Sequence, residues 1–131
     1  MYRFSQRSKE NLKEVDTRLV KLCYEVIQYI DFTVIEGFRS IERQQRLYTE
    51  GLSQVDGIKY LSKHNYKPAL AIDVIPYEKG HNPFDGSDKS ELMFYRLYRE
   101  FQVASNKLNI PIEWGGFWTF FDYPHIQLQE V

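Results

Sequence analysis

Residues 69–76 read Ala-Leu-Ala-Ile-Asp-Val-Ile-Pro, and the single charge in that run decides how the chain is read. A short apolar stretch closed by proline has the pattern of a buried strand. Asp73 interrupts it. A carboxylate taken out of water without a partner is strongly unfavourable, so a buried one is paired or bound to a metal. Asp73 therefore demands a cation. An ion pair with an arginine such as Arg39 would meet the demand, and so would a metal ion.

The flanking segments supply the rest of a fold. From Ser8 to about Ile30 the apolar residues Leu12, Val15, Leu19, Leu22, Cys23, Val26, Ile27 and Ile30 recur at threes and fours. That periodicity predicts one amphipathic helix, with Ser8 as its N-cap. Phe32–Glu36 is short and β-branched, so it reads as a strand, ended by Gly37. Ser40 caps a second helix through Tyr48, with Gly51 as its stop. Asp88-Lys-Ser-Glu91 resembles a capping box and opens a third helix, Leu92 to about Leu108. Ile110–Trp114 and Tyr123–Leu128 are candidate strands, and residues 77–90 read as a long connection. The expected fold class is α+β: a single small domain over 1–131, with helices packed on a short antiparallel sheet.

A chain of 131 residues suits one domain that buries a core without disulfide staples. With 17 Lys+Arg against 18 Asp+Glu there is no basic excess, so no nucleic-acid partner is expected. The one cysteine, Cys23, cannot form an internal disulfide and lies in the helical apolar pattern, where it reads as a small buried hydrophobe. The N-terminal sequence MYRFSQRSKENLKEV has no apolar core of a secretory signal, and no stretch is long enough for a membrane span. A protein made in the cytoplasm without a signal peptide is expected.

Of three histidines, two stand in telling places. His64 precedes the Asp73 strand, and His125 opens the last strand within Phe120-Phe-Asp-Tyr-Pro-His-Ile-Gln-Leu. A lone histidine at the second place would more often be a satisfied core residue than a ligand. Together with Asp73 they form two imidazoles and one carboxylate, the set a catalytic zinc uses while keeping its fourth position for water. Asp122 stands three positions before His125 and is the best-placed carboxylate for general acid/base work, or else a solvated turn residue before Pro124. His81, in the polar loop, reads as exposed. Trp114 and Trp118 flank Gly115-Gly116 and could wall a cleft or fill the core.

Four stretches now line up in order: Gly37-Phe-Arg39-Ser-Ile-Glu-Arg-Gln44-Gln-Arg-Leu-Tyr48-Thr-Glu-Gly51, Ser62-Lys-His64, Ala71-Ile-Asp73, and Trp114-Gly-Gly-Phe-Trp118 followed by Asp122-Tyr-Pro-His125. This order resembles the VanY-like zinc D-Ala-D-Ala carboxypeptidases and L-alanyl-D-glutamate endopeptidases, which share the Hedgehog/DD-peptidase fold and include phage endolysins. The resemblance implies one Zn2+ per chain held by His64, Asp73 and His125, with Asp122 as catalytic acid/base. It implies that Arg39 faces the active site and holds a substrate carboxylate or carbonyl, and that Ser62 contacts substrate or supports the first ligand. The expected substrate is the peptidoglycan stem peptide, cut at L-Ala–D-Glu by a monomer that reaches the wall after release from the host cytoplasm. A D-Ala-D-Ala carboxypeptidase or dipeptidase, or a non-catalytic zinc-containing binding domain, are the alternatives. One departure stands out: the commoner family form is H-x-x-G-x-A-x-D, whereas here the ligands are nine positions apart and Pro68 replaces the glycine. The long insertion that carries a regulatory calcium site in some phage members is absent, so no such site is expected.

Overall fold

Alternation along the strands separates a packed face from an open one. In β2 (Ala71–Pro76), Ile72 and Val74 are buried, while Asp73 between them points to the opposite side. In β4 (His125–Leu128), Ile126 and Leu128 share the packed face and His125 and Gln127 the other. The computed structural model describes residues 2–129. It contains α1 (Gln6–Asn11), α2 (Thr17–Val26), β1 (Phe32–Glu36), α3 (Ile41–Thr49), β2, α4 (Asp88–Leu108), β3 (Ile112–Trp114) and β4, with single 3-10 turns at Lys63–Asn65 and Gly115–Phe117. The four strands form one antiparallel sheet in the order β1-β2-β4-β3. This is the expected α+β architecture.

The core lies between the sheet and two helices. α2 contributes Leu19, Leu22, Cys23 and Val26, and α4 contributes Phe94, Leu97, Phe101 and Ala104, all buried at helical spacing. Phe101 meets Phe32 edge-on at 5.4 Å, which joins α4 to β1. Among the described residues, no helix is long and apolar enough to cross a membrane.

The first predicted helix is in fact two. The chain leaves the helical path between Leu12 and Asp16 and lies alongside Ala69 instead: the Ala69 amide donates to the Glu14 carbonyl at 2.8 Å, and the Asp16 amide to the Ala69 carbonyl at 3.0 Å. Asp16 then caps α2 by accepting from the Arg18 amide. Apolar periodicity runs through the break because Leu12, Val15 and Leu19 stay on the core side throughout. Ser8 is not the N-cap of α1; Ser5 is, while the buried Ser8 hydroxyl accepts from the Val34 amide at 3.0 Å. Likewise Ser87, one residue before the expected Asp88, caps α4. Asp88 falls in the first turn, where a negative charge favours the helix dipole.

Two substitutions separate these roles. Phe101→Ala is expected to remove about 3–5 kcal/mol of stability, and Asp16→Ala about 0.5–2 kcal/mol through loss of the cap. Both are read as lower urea midpoints with the m-value unchanged.

Candidate active site

The register of β2 and β4 builds the centre of the site: Asp73 lies directly across from His125. Side chains opposite each other in an antiparallel pair share a face at close range, so the carboxylate and the imidazole meet above the open side of the sheet. The third group comes from the 3-10 turn. Ser62 accepts from the His64 amide, Asn65 accepts from the Ser62 amide, and the Leu70 amide returns to the Lys63 carbonyl at 3.0 Å. Residues 66–70 take up the longer interval between His64 and Asp73, so the different loop leaves the two side chains adjacent.

His64 Nε2 stands 3.2 Å and His125 Nδ1 3.5 Å from Asp73 Oδ1. The rings are 5.1 Å apart between centroids. Each imidazole is oriented through its other nitrogen. His64 Nδ1 donates to the Gly37 carbonyl at 2.8 Å, and His125 Nε2 donates to Gln127 Oε1 at 2.8 Å. A neutral imidazole carries one N–H, so the two nitrogens aimed at Asp73 are lone pairs. Three acceptors thus converge, with their ligand atoms within 4.8 Å of one another. Such a set repels itself unless a proton or a cation lies among its members. Outer acceptors that fix the tautomer of inward-facing imidazoles are what metal sites use, and the ligand set fits zinc. Among the described residues it is the one such group.

Where a proton rather than a metal cation is the shared partner, the imidazoles face Asp73 as charged donors. Burial would raise the Asp73 carboxyl, but the charges and hydrogen bonds of His64 and His125 outweigh it and hold the group well below the usual range. Burial would lower the His125 imidazole, and its hydrogen bond to Asp73 pushes it up instead.

Asp122 lines the same cleft. Its amide donates to the Gly115 carbonyl at 2.8 Å, and its own carbonyl accepts from the His125 amide at 3.1 Å. Gly115 permits this approach, since a Cβ there would sit 2.5 Å from the Asp122 carbonyl oxygen. Desolvation in the cleft wall, and then the negative charge of Asp73, push the Asp122 carboxyl above its ordinary value. That is the direction a general acid needs.

Arg39 also borders the cleft but is nearly buried and fully engaged. Its Nε and Nη2 form a fork onto Glu36 at 3.0 and 2.8 Å, Nη1 donates to Gln44 Oε1 at 2.8 Å, and Nη2 lies 3.5 Å from Asp73 Oδ2. Sequence reasoning missed two members of this network. Glu36 ends the first strand and lies across from Asp73; burial would raise its carboxyl, but Arg39 and Arg43 hold it down. Gln44 is fully buried, and its amide also donates to Ser53 Oγ and to the Val55 carbonyl. A charge closing a β-branched run was the available signal for Glu36; for Gln44 there was only its match to the motif.

The cleft holds about 610 Å3, with Trp118, Phe120 and Phe121 on one wall and Leu47, Leu52 and Leu61 also lining it. The two tryptophans divide: Trp114 is buried and stacks on Tyr98 at 4.5 Å, whereas Trp118 faces the cleft with its ring 4.8 Å from His125. His81 is not exposed as expected. It is half-buried, bonded through Nε2 to Ser90 Oγ at 2.7 Å, and ties the 77–87 loop to the start of α4. Cys23 is buried, and burial pushes its thiol up, away from reactivity.

Comparison with known proteins gives the chain's relatives. The peptidoglycan L-alanyl-D-glutamate endopeptidase CwlK of Bacillus subtilis is 30% identical over 110 residues, which are 76% of this chain and 61% of that protein. The chain thus spans less than two thirds of that relative's length. The crystal structure of the Serratia marcescens L-Ala D-Glu endopeptidase ChiX superposes with a TM-score of 0.80 at 31% identity, covering 96% of this chain and 89% of that one. The family model of phage L-alanyl-D-glutamate peptidases matches residues 1–128, and the chain belongs to that family.

Proposed function

We propose that this chain is a zinc-dependent endopeptidase that hydrolyses the L-Ala–D-Glu bond of peptidoglycan stem peptides, acting as a monomeric phage lysin on the wall after release from the host cytoplasm. The observation that carries the proposal is the convergence of His64, Asp73 and His125 beside Asp122 in one cleft. Family membership and the two endopeptidases it resembles support the substrate class.

In this reading His64 Nε2, Asp73 Oδ1 and His125 Nδ1 hold the metal. When bound, zinc supplies Lewis-acid activation of water and of the scissile carbonyl. Asp122 accepts the proton of the water whose oxygen attacks that carbonyl, then delivers it to the leaving amine nitrogen as the C–N bond breaks. A carboxyl held above its ordinary pKa is suited to both transfers. Arg39 steadies Asp73 from the side away from the histidines. Ser62 fixes the His64 backbone and offers its hydroxyl to substrate at the cleft edge. Trp118 shields the His125 side from water.

Three outcomes test this reading. Purified peptidoglycan digested with the protein is expected to yield fragments ending at L-Ala, by mass spectrometry; release of D-Ala with L-Ala–D-Glu intact overturns the choice of bond. Dialysis against a chelator is expected to abolish hydrolysis, and stoichiometric zinc to restore it. Asp122→Asn is expected to lower kcat on the order of 10²- to 10⁴-fold while zinc, measured by atomic emission, stays at about one per chain.

A further inference from the structure

Two arginines meet at Glu36, and they are not equivalent. Glu36 Oε1 accepts from both Arg39 Nε at 3.0 Å and Arg43 Nε at 2.8 Å. Every nitrogen of the Arg39 guanidinium has a protein partner. Arg43 uses only its Nε; among the described residues its two terminal amino groups have no hydrogen-bond or ion-pair partner. Its side chain is half exposed and lines the metal-site cleft. Because the guanidinium is planar, the Nε contact with Glu36 fixes the orientation of the unpaired end of the fork. Arg39 is also engaged by Asp73, so of the two guanidiniums only Arg43 keeps an unpaired end of its fork at the cleft wall.

We propose that Arg43, not Arg39, is the residue of this cleft that binds a substrate carboxylate, and that Arg39 positions Asp73. The inference rests on the endopeptidase reading above. A glutamyl residue joined to its neighbours through its nitrogen and one carboxyl keeps the other as a free carboxylate beside the scissile amide. A guanidinium fork is the group that matches such a carboxylate with two parallel hydrogen bonds.

The test uses the zinc-loaded protein and two N-acetylated peptides containing L-Ala–D-Glu–L-Lys linked through the glutamyl γ-carboxyl. One keeps the glutamyl α-carboxylate; the other carries a carboxamide there. Wild type is expected to prefer the carboxylate peptide. Arg43→Ala is expected to lower kcat/KM for it on the order of 10- to 100-fold, mainly through KM, and to erase the preference. Arg43→Lys, which keeps charge without the fork, is expected to fall between. Equal losses on both peptides, or no loss on either, overturn the carboxylate anchor while leaving the endopeptidase reading in place. A wild type that cleaves neither peptide overturns that reading and this inference with it.

Discussion

The pairing of β2 with β4 is the constraint on which the site depends. It sets Asp73 opposite His125 without any specific contact between the two being needed to bring them together. Backbone hydrogen bonds and the packing of Ile72 and Ile126 into the core fix the register, and the functional side chains follow from it. A carboxylate and an imidazole held this way are pre-organised for a cation, because the energy that keeps them close is hydrophobic and located on the other face of the sheet.

Around that pair, each group has a support of its own. The Gly37 carbonyl orients His64, Gln127 orients His125, and Arg39 lies against the far oxygen of Asp73. Gly37 itself is tightly seated, since a Cβ there would stand 2.1 Å from the Asn11 carbonyl oxygen. Through this contact α1 backs the strand end that orients His64. Gln44 carries the same support outward, linking Arg39 to the segment at Ser53 and Val55 that borders the cleft.

Much of this was legible in the sequence, for reasons that differ by residue. Asp73 was visible because a charge in an apolar run has few explanations. His64 and His125 were permissive alone and became informative only through the order of motifs. The strands and α4 were readable from local apolar spacing. The break after α1 was not, because its cause is backbone pairing with Ala69, more than fifty positions along the chain. The division between Trp114 and Trp118 was equally hidden: both flank the same glycine pair, and only the 3-10 turn between them sends one ring inward and the other to the cleft. The Glu36–Arg39–Arg43 cluster joins a strand end to a helix start, and periodicity cannot show which donors such a cluster leaves unused.

The alternation along β2 also bears on how such a protein can change. Ile72 and Val74 answer to packing, Asp73 between them to chemistry. Mutations that tune thermal stability and mutations that tune reactivity therefore fall on interleaved but distinct positions, and an engineer or a lineage can explore one set while holding the other still. The same arrangement has one brittle mode. A slip of a single residue in this strand would exchange the two sets at once, so insertions and deletions within 71–76 carry a penalty that substitutions there do not.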